Sequence, residues 1–133
     1  IDMSDHNIPN GNNVFLINCK KLETITGENN WKNMSKELIQ SFHSFLNLHA
    51  SQMVSYIKSL DMCEELTTFT FFGNVEKNKE LQKYVKNKYL KSSVLIYKKD
   101  SKDDYLVVCK NQTCSNKIKN INELKSIEKN YAI

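Results

Sequence analysis

Arginine is absent from this chain. All 19 basic residues are lysine, and set against 15 acidic ones they leave a net charge of only +4. Nucleic-acid readers rely on arginine's planar fork to grip phosphates and guanine edges in bidentate fashion, which the point charge of lysine cannot copy. The lysines are also interleaved with acids, as in KKLETITGE (residues 20–28) and KKDSKDDY (98–105). Such runs read as solvated surface, so no nucleic-acid partner is expected. Long apolar runs are missing as well. Nothing approaches the ~18 residues of a membrane span, and no basic start followed by an apolar stretch marks a signal peptide. No membrane partner is expected either.

Cysteine is sparse. Cys19, Cys63, Cys109 and Cys114 do not form a disulfide-dense scaffold in a chain of 133 residues. Asn33-Met34-Ser35 and Asn111-Gln112-Thr113 fit the glycosylation pattern, but asparagine fills about one position in eight, so such triplets arise by chance. An intracellular, cytoplasmic setting is the expectation. The asparagine, lysine and isoleucine bias is spread along the chain in the manner of an AT-rich genome and forms no low-complexity tract. The chain also opens at Ile1 without an initiator methionine, so it is expected to be a piece of something longer.

What is present is enough for a core. Apolar residues make up 40% of the chain and aromatics 10%, which fits one domain or a small domain with a helical arm. Residues 1–12 are turn-like and hold the only proline, Pro9. A helix is expected from about Asn13 to Thr26, with Val14, Ile17, Leu22 and Ile25 on its apolar stripe and Gly27 as its stop. Asn29 or Asn30 can cap the next helix, whose apolar positions are Trp31, Met34, Leu38, Phe42, Phe45 and Leu46. After a soft break near residues 47–49, Met53, Val54, Ile57 and Leu60 resume helical spacing.

The period then changes. LTTFTFFG (66–73) is β-branched and aromatic and ends in glycine, which predicts a strand. A helix follows over 74–90 with Val75, Leu81, Tyr84, Val85 and Tyr89 apolar, then strands at 93–97 and 104–109 joined by a charged turn, and a closing helix on Ile121, Leu124 and Ile127. The order ααα then βαββα predicts an α/β fold, with α+β as its alternative: a helical arm followed by a small three-stranded piece. The first two strands should be parallel, and the apolar runs suit strands covered on both faces. The expected division is 1–62 and 63–133.

Candidate chemistry centres on VVCKNQTC (107–114). A zinc knuckle wants two close pairs of ligands, and Cys109 and Cys114 supply one wide pair with no histidine nearby; no metal and no cofactor are expected. A redox pair prefers two intervening residues at a helix start, whereas four intervene here after a strand. A disulfide requires the turn to bring the two Cα atoms within about 7 Å, and a reducing compartment argues against it. The preferred reading is a buried strand-end cysteine with a turn cysteine behind it. His43, between Phe42 and Phe45, reads as core-flanking. Gly73-Asn74 lies where α/β sheets bind phosphates, although one glycine there reads as a tight turn.

Several segments resemble, in the right order, the C-terminal part of the spermatogenesis-associated, thioredoxin-domain-containing protein family. DHNIPNGNNVFLINCKKLETITGENNW (5–31) is similar to the family's Asp, Pro-Ser-Gly-Asn-Ser and leucine-rich helix ending Thr-Gly before an aromatic. FGNVEKNKELQKYVKNKYLKSSVLIYKKD (72–100) is similar to its Gly-Asp turn, helix and strand. VVCKNQTCSNKIKNINELKSI (107–127) resembles its closing Val-Cys-Glu-Asn-x-x-Cys and Pro-x-Thr-Asp-x-x-Glu-Leu, with Cys109, Asn111, Cys114, Glu123 and Leu124 on matching positions. Asn10 stands where the family has Ser, Asn74 where it has Asp, Ser92 and Ser93 where it has Asn-Lys, and Lys117 where it has Pro.

The resemblance implies that residues 1–62 are the last helices of a six-hairpin-glycosidase-like α/α barrel and that the remainder is a terminal α/β piece. It implies a non-catalytic accessory domain completing a larger protein. The alternative it implies is a share in a carbohydrate-processing site through Asp5 and Asn12, or in a thiol-redox site through Cys109 and Cys114. Helices cut from a closed ring leave Trp31, Phe42, Phe45 and Leu46 in need of cover, from the α/β piece or from a partner, and the expected partner is the rest of the parent polypeptide or a second copy meeting the helical arm.

Overall fold

The structure, a computed structural model, describes residues 10–89, 93–110 and 113–131. The fold is α/β: helices first, then a mixed sheet with two further helices. The chain divides into two compact units, Ile1–Glu64 and Glu65–Ile133.

The helical unit contains α1 (Gly11–Thr26), α2 (Asn29–His49), a 3-10 turn (Ala50–Gln52) and α3 (Val54–Glu64). Asn10 caps α1, its side chain accepting from the Asn12 amide at 2.9 Å. Asparagine is a strong N-cap, because its short side-chain oxygen can accept from the amides of the first turn. Gly27 ends α1 with φ 71° and returns its N–H to the Glu23 carbonyl at 2.8 Å, a left-handed stop that suits a residue without Cβ. Glu28, and not Asn29 or Asn30, stands at the N-cap of α2, and its side chain makes no capping bond.

The core of this unit is Leu16, Phe42, Met53 and Tyr56, ringed by Leu38, Ile39, Phe45, Leu46, Leu60 and Cys63. Phe42 and Tyr56 meet at 4.9 Å between ring centroids. Two expected stripes are therefore shifted. On α1 the buried line is Asn13, Leu16 and Cys19, while Val14 and Ile25 face outward. At the entry to α3 and along it the line is Met53, Tyr56 and Ser59, while Val54 and Ile57 are exposed. Both helices are apolar around much of their circumference, and α1 is fixed by a polar contact: buried Asn13 donates from Nδ2 to the Ser55 hydroxyl. Phe42, Phe45 and Leu46, expected to lack cover, pack within this unit. His43, expected beside the core, is exposed, and His49 stacks on Phe45 at 4.4 Å.

The second unit is built on β1 (Thr67–Phe72), α4 (Lys79–Tyr89), β2 (Ser93–Lys98), β3 (Tyr105–Lys110), β4 (Thr113–Cys114) and α5 (Ile121–Tyr131). The sheet order is β2-β1-β3-β4. β1 pairs with β2 in parallel, as the strand–helix–strand order requires, and with β3 antiparallel. β4 adds a short fourth strand to the three expected. Register fixes the faces, since residues opposite one another share a side. Phe69 lies between Leu95 and Val108, and Phe71 lies between Tyr97 and Leu106. Those β1 and β3 side chains form one core with Leu81 and Val85 of α4, Leu124 of α5 and Ile118. Phe69, Val85, Leu106, Val108 and Leu124 are fully buried, each worth about 1.5–3 kcal/mol over exposure. The core contributed by α4 and α5 meets one face of the sheet, and on the opposite face Val94 and Thr70 are buried as well. The opposite face carries Thr68, Thr70, Ile96, Val107 and Cys109.

Candidate functional site

β3 turns back into β4, placing Cys109 directly opposite Cys114 and Lys110 opposite Thr113. The Val108 carbonyl accepts from the Ser115 amide at 2.8 Å. Backbone groups alternate in direction along a strand, so Cys109 and Cys114 form a non-hydrogen-bonded pair, the type in which facing side chains come closest. Their Cα atoms are 4.0 Å apart, and the two sulfurs are bonded to each other. The expected strand-end cysteine with an unlinked turn cysteine is therefore replaced by a disulfide. The hairpin register puts the two sulfurs in contact. Cys109 is half-buried and Cys114 exposed. Asn111, one of the positions on which the resemblance rests, lies outside the described residues.

The hairpin does not depend on sulfur alone. The Val108 amide donates to the Ser115 hydroxyl at 3.0 Å, and Leu106 and Ile118 exchange backbone bonds of 2.8 and 2.9 Å. The remaining thiols belong to the helical unit: Cys19 is fully buried and Cys63 half-buried. Burial pushes both thiols above their ordinary value, and for Cys63 the nearby Lys20 only partly opposes it. Both are held protonated, the unreactive form.

The turn after β1 occupies the position where α/β sheets take up anions, but the chain fills it with its own carboxylate. Gly73 has φ 87°, and a Cβ there would meet the Asp104 carboxylate and come within 2.6 Å of the Asp103 carbonyl. Asp104 Oδ1 instead accepts from the Asn74 amide at 2.6 Å, and Oδ2 pairs with Lys77 at 3.3 Å. The Asn74 amide, then Lys77, holds the Asp104 carboxyl below the usual carboxylate range. Asn78 Nδ2 donates to the Phe72 carbonyl at 3.0 Å and braces the approach to α4. The tight-turn reading of Gly73-Asn74 describes this geometry, with Asp104 as a component that sequence reasoning missed.

Glu123 and Leu124 both have structural roles. Asn120 accepts from the Glu123 amide at 3.0 Å, and Glu123 reaches back to the Lys119 amide at 2.7 Å, a reciprocal cap on α5. Leu124 is the buried anchor of that helix. At the other end of α5, Glu128 accepts from Lys88 at 2.7 Å, from Tyr84 at 3.0 Å and from Tyr89, tying α5 to α4. Burial pushes the Glu128 carboxyl up, and the bonds from Lys88, Tyr89 and Tyr84 outweigh it and hold it below the usual range. Burial, then the bond to Glu128, pushes the Tyr89 phenol up to about 12.

Of the two loop residues expected at a carbohydrate site, Asp5 lies outside the described residues. Asn12 is half-buried on the first turn of α1, its Nδ2 donating to Asn10 Oδ1 at 2.9 Å. Among the described residues no cluster of three or more His, Cys, Asp or Glu side chains could hold a metal ion, and no helix is long and apolar enough to cross a membrane. No protein-family model, curated protein or solved structure matches the chain.

Proposed function

We propose that this chain is a non-catalytic accessory region that completes a larger polypeptide, of the thioredoxin-domain-containing kind its sequence resembles. One observation carries the reading. Eight of the ten exposed large hydrophobic side chains among the described residues lie on the helical unit. They include Val14 and Ile25 on α1, each at least half exposed, and Leu48 at 79%. Isolated exposed apolar residues are ordinary. Here the exposed set recurs on all three helices, while each still contributes an inward line to the unit's own core, so the outer side chains are available to other neighbours. The positions that carry the resemblance support the same reading, since Gly27, Gly73, Glu123 and Leu124 stop, turn, cap and anchor the chain.

The expected partner of the helical arm is the remainder of the parent polypeptide, or a second copy when that remainder is missing. Hydrogen exchange read by mass spectrometry, on this chain alone and on the full-length gene product, tests it. The amides of α1 and of residues 46–57 should exchange more slowly in the full-length protein. Identical exchange in both, together with a monomeric mass for this chain at micromolar concentration, would remove the proposal.

A further inference from the structure

We propose that the Cys109–Cys114 disulfide is a thiol–disulfide exchange site, opened at Cys114 Sγ by a dithiol reductant while the hairpin stays folded. Three observations carry this.

The first is access. Cys114 lies exposed on a two-residue edge strand, while Cys109 is half-buried on β3 between β1 and β4. An incoming thiolate therefore reaches the Cys114 sulfur, with Cys109 as leaving group. The second is independent support. The Ser115–Val108 and Leu106–Ile118 bonds hold the hairpin on the inner side of the sulfur bridge. Reduction thus leaves the two cysteines facing each other, ready to close again. The third is placement. Cys109 lies opposite Thr68 and off the Phe69–Leu106–Val108 core face, so the change of state takes place away from that core. The bridge spans only five positions, so it removes less loop entropy from the unfolded chain than a long-range bridge would.

The step balances as an exchange. One thiolate of the dithiol bonds to Cys114 Sγ, the Cys109–Cys114 bond breaks, and Cys109 leaves as a thiolate that takes up a proton. The second thiol of the reductant, deprotonated, then attacks its own sulfur in the mixed disulfide. This releases the Cys114 thiolate, which is protonated, and leaves the reductant as an oxidised cyclic disulfide. Two electrons pass to the protein, and the dithiol is oxidised by two.

The test uses the whole chain and dithiothreitol. Equilibration in mixtures of its reduced and oxidised forms, followed by acid quench, alkylation and mass analysis, should show Cys109 and Cys114 changing together and reversibly. The far-ultraviolet circular dichroism should stay unchanged throughout. In separate variants, the Cys114 thiol left by Cys109→Ser should react with an aromatic disulfide reagent at least tenfold faster than the Cys109 thiol left by Cys114→Ser. Three results would overturn the proposal: a bridge reducible only in denaturant, loss of sheet signal on reduction, or equal or reversed reactivity of the two thiols. The wild-type titration decides the matter should either variant fail to fold.

Discussion

Replacing Gly73 with alanine probes the turn that joins β1 to α4. Its backbone sits at φ 87°, in the left-handed region, where a residue with Cβ costs roughly 1–2 kcal/mol more than glycine. The added methyl would also come within 2.6 Å of the Asp103 carbonyl. A methyl has no rotamer with which to escape, so the Asp103 backbone must shift, an overpacking cost of about 1–3 kcal/mol. Together these predict a loss of about 2–5 kcal/mol. Urea unfolding reads this as a fall in midpoint of about 1–2.5 M at an m-value near 2 kcal/mol/M, with m unchanged. Amide exchange at Phe71 and Leu106 provides a local readout of the same loss. The Asp103 carbonyl persists when Asp104 is removed, so Gly73→Ala should cost nearly as much in an Asp104→Ala background. A penalty under about 0.5 kcal/mol, or one that vanishes without Asp104, refutes the reasoning.

Other perturbations follow from the same geometry. Leu124→Ala should lower stability by about 2–5 kcal/mol, because the side chain is fully buried and its removal leaves a cavity; thermal unfolding checks it. Asn120→Ala should cost about 1 kcal/mol by removing the cap of α5, with exchange accelerated first at the Glu123 amide. Asp104 and Glu128 both ionise more readily in the folded chain. Their contribution is therefore present above the ordinary carboxylate value and is lost as pH falls through the depressed one, so stability should drop on the acid side and drop less in Glu128→Gln. The Tyr89 phenol is raised to about 12. Its neutral form is the one the fold favours, so that contribution persists through pH 10 and is lost as pH climbs through about 12; phenolate absorbance should show one late tyrosine that Tyr89→Phe removes.

Much of the architecture was legible because its signals were local. TTFTFF is β-branched and aromatic with nothing that favours helix, and Gly27 and Gly73 mark a helix end and a strand end where left-handed backbone is needed. The inward faces of α1 and α3 were not legible. Val14 and Ile25 are as apolar as Leu16 and Cys19, so hydrophobic spacing fits either side, and the contacts that accompany the observed face, such as Asn13–Ser55, join residues 42 positions apart. The site followed the same division. Asn120 and Glu123 carry the spacing of a reciprocal cap within four residues, whereas Asp104 is one of three aspartates in its turn, and nothing local singles it out. The sulfur bridge depended on hairpin register: the pairing that sets Cys109 opposite Cys114 comes from the turn, and a slip of one residue would separate them.

The closed hairpin is the centre of this account, and a thiol count tests it most directly. Of the four cysteines, Cys19 and Cys63 are free while Cys109 and Cys114 are bridged. Protein purified without reductant, unfolded and alkylated, should take up two labels, both on peptides from the helical unit, and four after prior reduction. Four labels without reduction, or a bridge that includes Cys19 or Cys63, would contradict it.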